Sequence, residues 1–213
     1  MGNKKTIVIA SNNNHKVQEF KDMLPEYDIL ALKDIEYIDE IEETGTTFEE
    51  NALIKANTIQ EYLKNKGLEY IVIADDSGLC VDSLNGAPGV YSARYAGEHG
   101  NNQANRDKLQ RELEGKDRKA HFTCAIAIVY PDGEIKTVEG KTFGKISKEE
   151  LGDNGFGYDC IFISKDLGKT FGEATDEEKN AVSHRARAIK ELLKVLNEGY
   201  WIFCRNMLIF IYT

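Results

Sequence analysis

The sequence predicts an α/β fold built on a mixed β-sheet. Short runs of β-branched apolar residues mingle along the chain with segments whose apolar residues recur at helical spacing. The two kinds of segment do not alternate strictly, and one pair of strands predicts a hairpin, so we expect a sheet that is not purely parallel. At 213 residues, 41% hydrophobic and 30% charged, the chain has the composition of a globular protein of one large or two small domains.

The N-terminal segment predicts one strand and one helix. Residues 6–10 are apolar and β-branched, which is typical of a short buried strand. The polar turn at 11–14 leads into a segment with apolar residues on one helical face, and Pro25 ends that helix. Residues 34–46 are acidic and predict irregular structure.

A second helix and a second strand follow. Residues 47–65 carry an apolar stripe at helical spacing, and Thr47 and Glu50 have the spacing of a capping box at the start of this helix. The apolar run at 70–74 predicts a strand that ends at Asp75, in a turn rich in Asp, Ser and Gly.

The second half of the chain predicts further elements of both kinds. Helical patterns cover 101–113 and 175–197, and the second pattern breaks near Ser183, which can cap a new helix. Two apolar runs flank a Pro-Asp-Gly turn as a hairpin, and a third follows a glycine-rich turn. These predicted strands are 121–130, 134–143 and 161–163.

Charge and cysteine content exclude several classes of function. A formal net charge of −9 argues against a nucleic-acid duplex or an anionic membrane surface as partner, although a small polyanion is compatible with local lysines and a metal cation. The first apolar run is too short for a signal peptide, so we expect a cytoplasmic protein. The 4 cysteines lie far apart without a CxxC pair and predict neither a zinc cluster nor a disulfide framework.

The segment ADDSGL places two carboxylates side by side directly after an apolar run. Asp75 and Asp76 repel each other there, so their adjacency needs a reason. One interpretation is a strand-terminating turn, because Asp, Ser and Gly all form turns. The other is a divalent metal site, because hard cations prefer carboxylate oxygens.

Two further polar clusters flank helix starts, and each has two interpretations. Residues 11–16 offer small polar side chains, free amides and a lysine, which suits phosphate binding, but the same asparagines can simply cap a helix. The spacing is not that of a P-loop. In EETGTTFEENALIKA, the acids Glu42, Glu43, Glu49 and Glu50 either complement the helix dipole and capping box or, with Lys55, surround a metal.

The C-terminal half carries two more clusters of this kind. In GFGYD, an aromatic base can stack on Phe156 or Tyr158 while Asp159 accepts a hydrogen bond, although a β-turn with core aromatics has the same composition. In EEKNAVSHR, Lys179, His184 and Arg185 can meet a phosphate and a carbonyl oxygen, or can be structural and surface residues. All four clusters lie on turns, where binding residues concentrate.

The motifs SNNNHK, ETGTTFEENALIKA, ADDSGLCVDSLNGAPGVYSARYAG, GFGYD and EEKNAVSHR occur in the order typical of the inosine triphosphate pyrophosphatase family. The resemblance runs from about residue 6 to 196. It implies an elongated mixed sheet flanked by helices, with the active site in a cleft between two lobes, in a homodimer. It also implies Mg²⁺-dependent hydrolysis of ITP, dITP and XTP to the monophosphate and pyrophosphate.

The resemblance also implies roles for individual residues. Glu43 and Asp76 match the Mg²⁺ ligands, and Asp76 also matches the base that activates water, with Glu50, Lys55 and Asp75 around them. The triphosphate contacts are Ser11, Asn12, Asn13, Asn14, His15 and Lys16. The remaining substrate contacts are Ser77, Phe156, Gly157, Tyr158, Asp159, Lys179, His184 and Arg185. Donors from His184, Arg185 or turn amides suit the 6-keto oxygen of hypoxanthine and xanthine.

The sequence departs from the family pattern at two places. Cys160 replaces the usual proline after the Gly-Tyr-Asp turn, so we expect a looser turn. Residues 1–197 form the expected single domain, whereas the apolar tail at 198–213 has no family precedent. It is too short to span a bilayer comfortably, and it is an added strand, a dimer contact or a sequence artefact, of which we favour the last or a variant terminus.

Two functions other than hydrolysis of deaminated purine triphosphates are compatible with these residues. One is a related pyrophosphatase for pyrimidine or other modified triphosphates on a similar fold, which differs in substrate preference. The other is a catalytically silent nucleotide sensor. The acids Glu43, Asp75 and Asp76, together with Lys55, argue against the sensor, because binding alone does not require this carboxylate set.

Overall fold

Six strands form one mixed sheet in the computed structural model, which describes residues 4–209, with side chains described for 4–197. In chain order the strands are β1 (Thr6–Ile9), β2 (Asp28–Ala31), β3 (Ile71–Val81), β4 (Lys119–Val129), β5 (Ile135–Ile146) and β6 (Phe162–Ser164). Their order in the sheet is β2-β1-β3-β4-β5-β6. β1 pairs in parallel with β2 and β3, and the remaining pairs are antiparallel, which confirms the predicted mixed sheet.

Helices cover both faces of the first half of this sheet. The α-helices of the chain are α1 (Asn14–Met23), α2 (Phe48–Asn65), α3 (Asn102–Glu112), α4 (Asp176–Val182) and α5 (His184–Ile209), of which α1, α2 and α5 cover this half. On one face, Ile73 of β3 belongs to a buried cluster with Phe20 of α1 and Leu192 of α5. On the other face, Val72 belongs to a cluster with Ile59 of α2. Burial of these apolar side chains holds three layers together.

The second half of the sheet carries a core of its own. Leu79 of β3 and Phe122 of β4 join a third buried cluster with Leu109 of α3 and Phe162 of β6. β3 and β4 have 11 residues each and β5 has 12, so these strands run through both halves of the molecule. The middle of β3 therefore lies where the two lobes meet, as the resemblance implied.

The predicted end of β3 at Asp75 is wrong. The strand continues through Asp75, Asp76, Ser77 and Gly78 to Val81, with every one of these residues paired to β4. Local turn preference is overridden here by ten consecutive pairings with a long partner strand. The adjacent carboxylates consequently lie inside a strand and not on a turn.

Most other elements follow the prediction. Thr47 caps α2, with Glu50 completing the capping box, and Asn101 caps α3. Ser183 ends α4, and its hydroxyl accepts a hydrogen bond from the Ala186 amide in the first turn of α5. The strand β2 and the short 3-10 helix at Leu32–Ile35 were not predicted.

The C-terminal tail continues α5 as far as the described backbone extends. The helix runs to Ile209, so residues 198–209 are helical and not an added strand. Residues 210–213 and the side chains from 198 onward lie outside the described part of the chain. Within the described residues, none of the helices combines the length and apolarity needed to cross a bilayer.

We predict that Gly78→Ala strongly destabilises the fold. A Cβ atom at Gly78 would lie 2.5 Å from the Gly89 carbonyl oxygen, 2.5 Å from Ser92 Oγ and 2.8 Å from Phe48. Because the nearest atom belongs to backbone, we expect a loss of about 3 kcal/mol in the free energy of unfolding, measured by urea titration.

Gly67→Ala is the matched control for this change. Gly67 has a φ of +69° but nothing within 4 Å of a Cβ position, so only backbone strain of about 1 kcal/mol is expected. Equal losses for the two variants would show that Gly78 is not closely packed against the segment at 89–92.

Candidate functional site

A cleft of about 600 Å³ opens at the junction of the two lobes, beside the middle of β3. Nearly all of the residues assigned from the resemblance line it, together with Lys55. They are Ser11, Asn12, Asn13, His15, Lys16, Glu43, Asp76, Ser77, Phe156, Gly157, Tyr158, Asp159, Lys179, His184 and Arg185. The folded chain thus brings five separate segments of sequence to one cavity.

Strand geometry sends the two adjacent aspartates to opposite faces of the sheet. Successive side chains on a strand alternate, and the clusters around Ile73 and Val72 show which helices cover each face. Asp75 shares the face of Ile73 with α1 and α5. Asp76 shares the face of Val72 with α2. The repulsion between neighbouring carboxylates is thereby reduced, and each carboxylate meets a different set of partners.

Asp75 lies at the centre of a buried cluster of positive charge. Its Oδ2 lies 3.0 Å from Lys16 Nζ and 3.2 Å from Arg185 Nη2, and it accepts a 3.0 Å hydrogen bond from Ser77 Oγ. Burial raises the pKa of Asp75, but the charges of Lys16, Arg185 and Lys55 outweigh it and hold this pKa well below its usual range. Asp75 is therefore ionised at neutral pH and anchors two cations of the site.

Arg185 is held in this cluster by two carboxylates. Its Nε and Nη2 donate to Asp75, and its Nη1 donates to Glu19 of α1. Arg185 lines the cleft with only 3% of its surface exposed. The guanidinium thus ties α5 to α1 and β3, and each of its three nitrogens donates to a carboxylate, either Asp75 or Glu19.

Asp76 has a different environment at the cleft surface. Its Oδ2 accepts a 3.0 Å hydrogen bond from Asn51 Nδ2, and its Oδ1 accepts one of 2.9 Å from the Ser77 amide. Lys55 Nζ lies 4.0 Å from Asp76 Oδ1 and 2.7 Å from Glu43 Oε1. Burial and the Glu43 charge raise the pKa of Asp76, against the lowering effects of Lys55 and Asn51. Asp76 is thus the more basic of the two aspartates.

The loop before α1 presents donors to the cleft. Asn13 Oδ1 accepts hydrogen bonds from the amides of His15 (3.0 Å) and Lys16 (3.3 Å), which makes Asn13 the N-cap of the helix. The positive end of the helix dipole and Lys16 face the same cavity, an arrangement that favours anions. Asn14, the first residue of α1, is exposed and does not line the cleft.

The glycine-rich turn forms the aromatic end of the cleft. Asp159 Oδ2 accepts hydrogen bonds of 2.8 Å from the Phe156 amide and 2.8 Å from Lys179 Nζ. Tyr158 is buried and donates to the Ser92 carbonyl (2.9 Å), whereas Phe156 is 43% exposed, with Lys179 Nζ 5.1 Å from its ring centre. The carboxylate of Asp159 holds this turn in place without a proline at position 160.

His184 is a buried histidine with an unsatisfied nitrogen. Its ring stacks on Phe122 at 4.8 Å, and its Nδ1 has no hydrogen-bond partner among the described residues. Burial, and next the charges of Arg185 and Lys179, lower its pKa well below the usual value. A neutral imidazole lining the cleft can offer one donor and one acceptor to a ligand.

The cleft leaves out two acids that the resemblance placed around the metal ligands, and it includes residues that the sequence did not indicate. Glu50 lies outside the cleft, because its carboxylate accepts from Thr46 and Thr47 in the capping box. Asp75 lies behind the cleft and not on its wall. Among the cleft residues that were not predicted are Asp39, Glu40, Ser92, Arg94, His99, Asn102 and Phe122. Ser92 and Arg94 lie inside the motif ADDSGLCVDSLNGAPGVYSARYAG, but nothing in their spacing distinguishes them from its other residues.

We predict that the free energy of unfolding falls as the pH drops below about 6.5, in part because of His184. The unfolded chain binds a proton at that histidine near pH 6.5, whereas the folded chain does so only at lower pH. Stability therefore increases with pH in this window, by at most about 1.4 kcal/mol per pH unit for one proton.

His184→Phe keeps a ring for Phe122 to stack on and should remove this part of the slope in urea titrations at several pH values. His121→Phe is the matched control, because His121 is partly exposed and should account for less of the slope. An unchanged slope in His184→Phe would show that His184 is not held neutral by the fold.

Comparison with known proteins identifies the family. The sequence profile described as Ham1 family matches residues 7–195. A dITP/XTP pyrophosphatase from Bacillus licheniformis is 55% identical over 200 residues, which cover 92% of this chain and 100% of that protein. One from Bacillus subtilis is 51% identical over 197 residues, 90% of this chain and 97% of that protein.

Solved structures agree with the sequence comparison. The Ham1 protein of Staphylococcus aureus has a TM-score of 0.81 and 45% identity, covering 92% of this chain and 100% of that chain. A HAM1 protein from Coxiella burnetii has a TM-score of 0.81 and 39% identity, covering 91% of this chain and 99% of that chain. The fold, the ordered motifs and these relatives lead to one conclusion: the chain belongs to the Ham1 family.

Proposed function

We propose that this protein hydrolyses deaminated purine nucleoside triphosphates, ITP, dITP and XTP, to the monophosphate and pyrophosphate, and so cleanses the nucleotide pool. The observation that carries the proposal is the position of Asp76, a basic carboxylate on the cleft wall between a phosphate-suited loop and an aromatic turn. The names of the curated relatives, dITP/XTP pyrophosphatases, support the same substrate class.

The phosphate end of the cleft supports a triphosphate as ligand. The start of α1 offers the positive end of its helix dipole and Lys16, and Lys55 also lines the cleft beside Glu43. The chain as a whole is acidic, so these local cations are needed to attract a polyanion. Asp75 keeps Lys16 in position from behind, through an ion pair of 3.0 Å.

The carboxylates of Glu43 and Asp76 suit a Mg²⁺ ion. No group of three Asp, Glu, His or Cys side chains in the described part of the chain can hold a metal by itself. Mg²⁺, however, commonly takes only one or two carboxylates and completes its shell with water and substrate phosphates. Glu43 and Asp76, both within 4.0 Å of Lys55 Nζ, provide that donor set. When bound there, the ion would neutralise phosphate charge.

Asp76 is proposed as the base that takes a proton from the attacking water. Its raised pKa makes it a better proton acceptor than Asp75, and each of its oxygens keeps a lone pair beyond the hydrogen bonds to Asn51 and Ser77. The water oxygen forms a bond to the α-phosphorus. The bond from the α-phosphorus to the oxygen that bridges the α- and β-phosphates breaks, and pyrophosphate leaves with the bonding electrons.

Base recognition is assigned to the turn and to His184. Phe156 offers an exposed ring on which a purine can stack. His184 lines the cleft with a neutral imidazole, whose N–H can hydrogen bond to a purine edge. A 6-keto oxygen accepts a hydrogen bond from such a donor, whereas the 6-amino group of adenine leaves it unpaired, at a cost of about 1–3 kcal/mol. Arg185 is already paired with Asp75 and Glu19, which favours a supporting role.

The two alternative functions differ from this proposal in measurable ways. A pyrophosphatase for pyrimidine triphosphates would share the chemistry but not the preference for a 6-keto purine. A silent sensor would bind the triphosphate without releasing product. We also propose, on the family resemblance, that the protein works as a homodimer, which light scattering after size-exclusion chromatography measures directly.

We predict that the protein with Mg²⁺ releases pyrophosphate from ITP and XTP, and that Asp76→Asn lowers kcat at least about 10²-fold, because the amide cannot take a proton. EDTA should abolish turnover. Asp82→Asn, the same change at an exposed aspartate, is the control and should keep full activity. Orthophosphate as the first product, or near-normal turnover by Asp76→Asn, would contradict this mechanism.

We predict that kcat/KM for ITP and XTP lies well above that for GTP, and that GTP is no worse than ATP. His184→Phe should lower kcat/KM for ITP more than for ATP, by about 10-fold, because it removes the hydrogen bond that distinguishes the two bases. His121→Phe is the matched control outside the cleft. An equal loss for ITP and ATP would remove His184 from base recognition.

A further inference from the structure

Asn51 is a buried residue whose side-chain amide hydrogen bonds to Asp76. It lies in the first turns of α2, has no exposed surface and does not line the cleft. We propose that Asn51 is a positioning residue, which fixes the orientation of the Asp76 carboxylate and connects it to the loop that carries Glu43. This inference rests on the proposed function, in which Asp76 activates water.

The two hydrogen bonds of Asn51 determine how its amide is oriented. The Gly45 amide donates to Asn51 Oδ1 at 2.8 Å, and Asn51 Nδ2 donates to Asp76 Oδ2 at 3.0 Å. A backbone amide can only donate and an ionised carboxylate can only accept. The opposite amide orientation would therefore break both bonds. The bond from Gly45 thus keeps Nδ2 directed at Asp76, and the bond to Asp76 keeps Oδ1 directed at Gly45.

Asp76 is held at both oxygens as a result. Asn51 binds Oδ2, and the Ser77 amide binds Oδ1 at 2.9 Å. The Ser77 bond is local and follows from the backbone of β3. The Asn51 bond is the one that comes from another element, so it ties the rotation of the carboxylate to the position of α2.

The loop packs closely against the start of α2 at Gly45. A Cβ atom at Gly45 would lie 2.7 Å from Asn51 Oδ1 and 2.9 Å from the Asn51 amide nitrogen. Glu43, two residues earlier, bonds Lys55, which lies one turn after Asn51 on α2. Asn51 and Lys55 therefore hold both carboxylates of the proposed site from a single helix face.

Loss of the Asn51 amide is expected to affect mainly kcat. Removal of the amide leaves Asp76 in its buried position but free to rotate away from the attacking water. Groups that orient reacting carboxylates in this way typically account for 10- to 100-fold in activity. We therefore expect a loss of about 10- to 100-fold in kcat, with little change in the affinity for substrate.

The test compares Asn51→Leu, which is close in size but has no polar atoms, with Asn105→Leu. Asn105 is also buried and also makes two hydrogen bonds, from the Ala96 amide (2.7 Å) and to the Ala93 carbonyl (3.1 Å), but does not contact Asp76. Each variant is assayed for kcat and KM with ITP at saturating Mg²⁺. Affinity for a non-hydrolysable α,β-methylene analogue of ITP is measured by calorimetry, and the free energy of unfolding by urea.

Support for the proposal is a loss of about 10-fold or more in kcat for Asn51→Leu, with analogue affinity within about 3-fold and nearly unchanged kcat in Asn105→Leu. Unchanged kcat in folded Asn51→Leu would refute it. So would a parallel loss of kcat and analogue affinity, or an equal loss of kcat in Asn105→Leu, since either shows a purely structural role. If Asn51→Leu does not fold, Asn51→Ala, which removes the same two hydrogen bonds without adding a charge beside Asp76, answers the same question.

The activity of the wild-type protein distinguishes failure of the proposed function from failure of this inference. If the wild-type protein releases no pyrophosphate from ITP or XTP, the activity itself is wrong, and the inference falls with it. If the wild-type protein is active and Asn51→Leu is equally active, the inference alone is wrong.

Discussion

The alternation of side chains along β3 is the constraint on which the site depends. Two aspartates that are adjacent in sequence lie on opposite faces of the sheet because they belong to a strand. Asp75 meets cations from α1 and α5, and Asp76 meets an amide and a lysine from α2. A turn at this point would not impose this alternation on the two side chains.

The buried ion pairs of Asp75 connect the elements that surround the cleft. Lys16 comes from the phosphate-suited loop and helix, Arg185 from the first turn of α5, and both converge on one carboxylate oxygen. Because an unpaired buried charge is costly, removal of Asp75 would destabilise the site: Lys16 would lose its ion pair, and Arg185 would keep only Glu19. We therefore interpret Asp75 as the residue that connects α1, β3 and α5, whereas Asp76 is the residue proposed to act on water.

The sequence predicts most of the elements, and most of the residues it singled out line the cleft, because capping residues, apolar periodicity and motifs are local signals. It misplaces the end of β3 because Asp, Ser and Gly favour turns locally, and only the pairing with β4 reveals the strand. It misses β2 because DILA is short and begins with an exposed acid. Asn51 could not be identified, since a polar residue in an amphipathic helix is ordinary until its partners, distant in sequence, are known.

The opposite roles of Asp75 and Asp76 can be measured directly by carbon-13 NMR titration of their side-chain carboxyl groups in the metal-free protein. The structure predicts that Asp75 shows no titration down to pH ~3, because Lys16 and Arg185 hold its pKa below the usual range. Asp76 should titrate with a midpoint above its ordinary value of 3.8, because it is buried beside Glu43. If Asp75 took up its proton at a higher pH than Asp76, the division of roles between the two aspartates would be wrong.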